Sequence, residues 1–188
     1  GEHVALSPGK VIFRNGLIEL IQYSPSTPTV HAEPILIVPA WIMKFYILDL
    51  SPENSLVRYL VSQGHTVFMI SWKNPDATDR ELAMDDYVSL GLHDALDVVT
   101  AVCPDRKVHT VGYCIGGAAL AAWMAWANAR YAKADVPVEA ITLLTTLVDY
   151  HKPGDIEVFL DESSIKWLEK SMAEKGYLDG KEMASAFR

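Results

Sequence analysis

Four short strand-like runs alternate with longer segments of helical character, and that alternation leaves few folds open to the chain. The runs are Pro34-Ile35-Leu36-Ile37-Val38, Thr66-Val67-Phe68-Met69-Ile70, Lys107-Val108-His109-Thr110-Val111 and Val138-Glu139-Ala140-Ile141-Thr142-Leu143-Leu144. The first two lack polar alternation, as expected of strands buried on both faces. Between them, Ser51-Pro52 reads as a helix cap and first position. That helix would turn Leu56, Tyr59 and Leu60 inward and stop at Gly64. A second helix is predicted from near Asp85 to Val102, with Tyr87, Leu90, Ala95, Val98 and Val99 on one face. A third covers Ala118–Tyr131, and Ser163–Lys175 reads as amphipathic. Ahead of all this, Lys10–Arg14 and Leu17–Tyr23 flank Asn15-Gly16, which predicts a hairpin whose turn uses the positive φ angles that Asn-Gly tolerates. A hairpin followed by repeated β-α units implies a mostly parallel sheet with helices on both faces.

The 188 residues suit one domain with a core of its own. A formal charge of −8 argues against a general nucleic-acid-binding surface. The longest apolar runs fall short of the roughly 18 residues that suggest a membrane span. Cys103 and Cys114 do not make a disulfide framework, and a reduced cytoplasm is the simplest setting for two free thiols. The first residues carry no signal-peptide pattern and no initiator Met, so the N-terminus reads as cut or processed.

The chemistry concentrates in Gly112-Tyr113-Cys114-Ile115-Gly116-Gly117, which follows a predicted strand and opens a predicted helix. That is the context of a nucleophile elbow with Cys in place of Ser. A sharp strand-to-helix turn holds the nucleophile in a strained conformation, and glycines around it avoid clashes. The helix N-terminus favours negative charge, on a thiolate or on a developing oxyanion. The backbone N–H of Ile115 points where that oxyanion would form. A second donor is expected from the loop Pro39-Ala40-Trp41-Ile42, with the Trp41 N–H favoured and Ile42 the alternative. Cys103 lacks such flanks and reads as a small structural hydrophobe.

Longer segments now become informative. Residues 34–50, 63–76, 85–87 and 143–150, together with Gly112–Gly117, resemble the polyhydroxyalkanoate synthase family in the same order over nearly the whole chain. The resemblance implies an α/β-hydrolase fold, with residues 1–149 the N-terminal portion of the core and 150–188 the start of a cap, the chain ending before the last strands. It also implies an acyltransferase that polymerises (R)-3-hydroxyacyl-coenzyme A into a polyester and releases coenzyme A. Such enzymes use a Cys-Asp-His triad, work as dimers, and sit on cytoplasmic polymer granules. The sequence shows no metal cluster, phosphate-cradling loop or dinucleotide fingerprint, so no cofactor or metal is expected.

In this fold the acid and histidine follow the nucleophile. Only His151 follows Cys114, directly after a strand, so Asp149 and His151 read as loop or cap residues rather than catalytic ones. The triad acid and base are therefore expected outside this chain, which alone should be inactive. His3, His31, His65, His93 and His109 read as solvated or packed. Asp49 either supports the loop shaping the site or caps the turn before Ser51-Pro52. Trp72 and Asp86 read as structural, and Lys73 and Arg80 as solvated, with contact to coenzyme A phosphates the alternative. Two other readings compete: a Cys-dependent hydrolase of the dienelactone-hydrolase type, and a non-catalytic granule-associated module.

Overall fold

The hairpin forms, by a different turn from the expected one. In the computed structural model, which describes residues 3–42, 44–151, 153–154, 157 and 161–178, β1 (Gly9–Arg14) pairs antiparallel with β2 (Ile18–Tyr23). Neither Asn15 nor Gly16 has a positive φ. The Asn15 side chain makes the turn instead: its Oδ1 accepts the N–H groups of Leu17 (2.8 Å) and Ile18 (2.9 Å). Its amide nitrogen donates to the Leu90 carbonyl (2.7 Å) and to Asp94 Oδ2 (2.8 Å). An Asx-type turn with tertiary anchors thus replaces the mirror-image turn that the dipeptide favours by itself.

β3 (Ile35–Val38), β4 (Val67–Trp72), β5 (Val108–Tyr113) and β6 (Val138–Leu144) complete a six-stranded sheet in the order β1-β2-β4-β3-β5-β6. β2 meets β4 antiparallel, while β3 runs parallel to both β4 and β5, and β6 runs parallel to β5. Every residue of β3 is buried, as are Val67 to Ile70 of β4. Their apolar runs lack alternation because both faces are covered. Each Leu, Ile, Phe or Met so buried contributes about 1.5–3 kcal/mol.

Three helical expectations need correction. α1 spans Leu56–Ser62 and is capped by Ser55, whose Oγ accepts the Arg58 N–H at 2.9 Å; Ser51 only closes a local turn onto the Asn54 N–H. The buried carboxylate of Asp49 selects Ser55, accepting its hydroxyl and bridging residues 49 and 55. The inward residues are Val57 and Val61, and Tyr59 is exposed. The stop at Gly64 stands: its φ is +83°, and the N–H groups of Gly64 and His65 return to Val61 and Leu60 in a Schellman motif.

The second helix is three segments, α2 (Met84–Asp86), a π-helical stretch (Tyr87–His93) and α3 (Asp94–Val102). A π turn takes an extra residue, which shifts the phase of a 3.6-residue pattern. Leu92, Ala95, Leu96 and Val99 therefore face inward, and Leu90 is exposed. α4 spans Ile115–Arg130, starting three residues before the predicted Ala118 because Gly116 and Gly117 are helical despite poor propensity.

The chain falls into two compact units, residues 1–73 with 84–146 and residues 74–83 with 147–188. The first holds the sheet and α1 to α4. In the second, α5 (Glu162–Lys175) is capped by Asp161 at one end and by Gly176, at φ +88°, at the other. Arg80 donates to the Ala173 carbonyl at 3.0 Å within that unit.

One contact of the first unit is unusually tight. A Cβ on Gly91 would lie 2.5 Å from the Trp72 ring, and that ring is tethered by its Nε1–H to the Pro39 carbonyl at 2.7 Å. Gly91→Ala should therefore lower stability by about 1–3 kcal/mol, read as a lower urea midpoint at unchanged slope. A second consequence is pH-dependent. His65 stacks on His31 at 4.6 Å, and burial, then the charges of His31 and His109, hold its pKa below the ordinary 6.5. The unfolded chain then binds the proton first, so His65 costs stability as pH falls through 6.5 and below. His65→Gln should flatten that part of a stability-against-pH curve.

Candidate active site

Cys114 sits between the last residue of β5 and the first of α4, with φ 53° and ψ −126°. A non-glycine residue rarely adopts such a backbone, at a cost of about 1–3 kcal/mol, and surrounding structure must hold it there. The holding bonds are visible. The Cys114 N–H donates to the Leu144 carbonyl at the end of β6 (2.9 Å). Its own carbonyl accepts from the Gly117 N–H (3.0 Å), the Ala118 N–H (3.3 Å) and the Thr146 hydroxyl (3.3 Å). The residue itself is exposed.

Three glycines make the seat. A Cβ on Gly112 would come within 2.4 Å of the Gly117 Cα. One on Gly116 would meet the carbonyl oxygens of Val38 (2.4 Å) and Pro39 (2.5 Å). One on Gly117 would fall 2.1 Å from the Thr146 Oγ1. The first turn of α4 is thus pressed against β5, against the end of β3 and against the segment after β6.

That packing brings the loop after β3 beside the head of α4. Ile115 is the first residue of α4, where backbone N–H groups have no intrahelical acceptor. Among the described residues, the N–H groups of Trp41 and Ile42 also meet no acceptor. The Trp41 ring stacks on Tyr87 at 4.5 Å and meets the Trp72 ring edge-on at 5.6 Å, which pins the loop. Trp72 is a structural anchor here, through its bond to Pro39.

The remaining candidates lie elsewhere. Asp49 is 2% exposed and accepts from the Ser7 N–H (3.2 Å), the Ser7 hydroxyl (2.7 Å) and the Ser55 hydroxyl. None of these bonds reaches β5, α4 or the Trp41 loop. Cys103 is partly buried, which pushes its thiol pKa up and keeps it protonated. In the second unit His151 Nδ1 meets Asp149 Oδ1 at 2.9 Å, both side chains fully solvated; the bond from the His151 N–H, then the ring contact, lowers the Asp149 pKa. His93 lies near Trp123 and Trp126. Among the described residues of the first unit, no His, Asp or Glu hydrogen-bonds the Cys114 thiol. Among the described residues, no cluster of three or more His, Cys, Asp or Glu is arranged to hold a metal ion, and no helix is long and apolar enough to cross a membrane.

The structure places two residues beside the Cys114 elbow that the sequence does not single out, Thr145 and Thr146. Thr145 has a φ of +48°, an outlier for a β-branched residue. The available signal was a pair of threonines directly after a parallel strand, at the carboxyl end where open α/β sheets build their sites.

Comparison with known proteins bears out the fold. Residues 33–176 match the family described as alpha/beta hydrolase fold, and residues 1–60 match that of the poly-beta-hydroxybutyrate polymerase (PhaC) N-terminus. Over 187 residues the chain is 49% identical to a poly(3-hydroxyalkanoate) polymerase of Methylorubrum extorquens and 45% identical to a poly(3-hydroxyalkanoate) polymerase subunit PhaC of Rhizobium meliloti. Each match covers 100% of this chain and 30% of the relative. Among solved structures, esterase B from Lactobacillus rhamnosis superposes with a TM-score of 0.55 at 16% identity, over 82% of this chain and 52% of that one. Strand order and the family match over residues 33–176 agree that this chain belongs to the alpha/beta hydrolase fold family.

Proposed function

We propose that this chain carries the nucleophile of a poly(3-hydroxyalkanoate) polymerase, which joins (R)-3-hydroxyacyl units from coenzyme A thioesters through an acyl-Cys114 intermediate. The observation that carries the reading is the exposed Cys114 at φ 53° and ψ −126°, at the head of α4.

The steps follow from thiol chemistry. A base takes the Cys114 proton, and the sulfur attacks the thioester carbonyl. The carbon–sulfur bond to coenzyme A breaks, and the leaving thiolate takes up the proton. One thioester has replaced another, so the acyl group stays activated at little energetic cost. The 3-hydroxyl of a second acyl unit then attacks the acyl-Cys114 carbonyl. An oxygen ester forms, the hydroxyl proton passes through the base to the Cys114 sulfur, and the polyester is one unit longer. The N–H groups of Ile115 and Trp41 bind the oxyanion of each tetrahedral intermediate. The pinned aromatic trio of Trp41, Trp72 and Tyr87 keeps the Trp41 donor in register.

A base and an orienting acid are required. The chain spans 30% of the length of the polymerases it matches, and we assign the triad His and Asp to the remainder. Asp149 and His151 then serve their local loop, and Asp49 serves the fold. The same reading makes the complete enzyme a homodimer at the surface of cytoplasmic polymer granules.

The test uses the full-length polymerase with (R)-3-hydroxybutyryl-coenzyme A. Intact-protein mass spectrometry should find an acyl adduct on Cys114, with free coenzyme A and polymer accumulating together. Cys114→Ala should remove the adduct and lower turnover by at least about a thousandfold, the scale for losing a covalent nucleophile. Free hydroxy acid as the main product would replace this reading with a hydrolase, and full turnover by Cys114→Ala would end it.

A further inference from the structure

The strained Cys114 backbone is held partly by a segment that no step above uses. β6 ends at Leu144, and the chain reverses at Thr145, whose φ is +48°. The Thr145 hydroxyl bonds the Leu144 carbonyl at 2.8 Å. The reversal lays Thr146 across the elbow. Its hydroxyl lies 3.1 Å from the Leu144 carbonyl and 3.3 Å from the Cys114 carbonyl. The Leu144 carbonyl is the same one that accepts the Cys114 N–H at 2.9 Å. Both peptide groups flanking the Cys114 Cα are therefore tied to one short strap. Thr146 also fills the space beside Gly117, where a Cβ would lie 2.1 Å from its Oγ1.

We propose that Thr146 is a positioning residue for the Cys114 nucleophile: its hydroxyl holds the elbow carbonyl so that the thiol and the Ile115 N–H keep the relation that oxyanion binding needs. This rests on Cys114 being the nucleophile. A β-branched residue at positive φ is unfavourable, and such strain persists where the surroundings over-determine it, commonly at a working site. Beyond packing beside Gly117 and bonding the Leu144 carbonyl, the Thr146 contact to Cys114 is not needed for hydrogen-bond satisfaction, since the Cys114 carbonyl already accepts from Gly117 and Ala118. The extra donor constrains direction, and direction is what an oxyanion hole requires. The Thr146 hydroxyl bonds two backbone carbonyls and not the thiol, so its effect is expected on the chemical step rather than on substrate affinity.

Four single variants of the full-length polymerase test this: Thr146→Ser, which keeps the hydroxyl; Thr146→Val, which keeps the shape; Thr146→Ala, which keeps neither; and Cys114→Ala as the control for the nucleophile. Turnover of the Thr146 variants with (R)-3-hydroxybutyryl-coenzyme A is normalised to Cys114 alkylated by iodoacetamide, counted by peptide mass, and that of Cys114→Ala to total protein. The expected result is a kcat lower by about tenfold in Val and Ala, roughly 1.4 kcal/mol, with KM within about twofold and Ser restored to within about threefold of wild type. A merely structural role would lower the folded fraction and Tm but leave normalised kcat unchanged, and that outcome overturns the inference. So does a Ser variant as impaired as Val, because packing alone would then explain the loss. If Thr146→Ala does not fold, the Ser–Val contrast carries the same decision. Activity surviving in Cys114→Ala would instead sink the nucleophile assignment, separately from the strap.

Discussion

The close approach of bare backbone at the head of α4 is the constraint on which the site depends. Gly112, Gly116 and Gly117 leave no Cβ between the helix and three pieces of the sheet, namely β5, the end of β3 and the segment after β6. The poor helix propensity of Gly116 and Gly117, on the order of 1 kcal/mol each relative to alanine, is offset by what the approach permits. The helix can begin directly after the strand, and the residue between them has no room for an ordinary backbone. Cys114 is forced to a positive φ, and its side chain points away from the packed layers. Strain, exposure and a cluster of unpaired N–H groups are then one consequence of one packing arrangement.

The rest of the first unit reads as support for that arrangement. β3 and β4 form its most deeply buried part, and their parallel pairing sets where the loop after β3 emerges. Trp72, at the end of β4, bonds the Pro39 carbonyl and packs against Trp41 and Tyr87. The π-helical stretch places Gly91 against the same ring. Further off, Asp49 gathers Ser7 and the α1 cap into one buried knot, so its carboxylate acts on the fold at a distance from the thiol.

Much of this was legible in the sequence, for identifiable reasons. A strand with no polar residue cannot face water, so residues 35–38 and 67–70 could only be interior. The elbow was legible because few residue types tolerate its geometry. Other elements differ from expectation where a local preference met a stronger competing interaction or a change of helical phase. Asn15-Gly16 favours a mirror-image turn, yet Asn15 finds the Leu90 carbonyl and Asp94 and turns the chain with its side chain. Ser51-Pro52 is a good helix opening, yet the buried Asp49 draws Ser55 into that role. Leu90 fits a 3.6-residue face, yet the π stretch rotates it outward. Thr145 and Thr146 passed unnoticed because threonine after a strand is common and only its φ and partners mark it.

By itself the sequence determined the strand and helix alternation, the place of the Cys114 elbow and the likeness of the chain to its relatives, because these rest on residue type and spacing. Tertiary structure alone decided which serine caps α1, which face α3 buries, and what restrains Cys114. The cap depends on a carboxylate buried with Ser7, 42 residues from Asp49, the restraint of Cys114 on Thr146, 32 residues on, and the buried face on a change of helical phase, none of which is written in a local window. The physical reason is that a hydrogen bond or a van der Waals contact senses only distance in space, and the fold sets that distance.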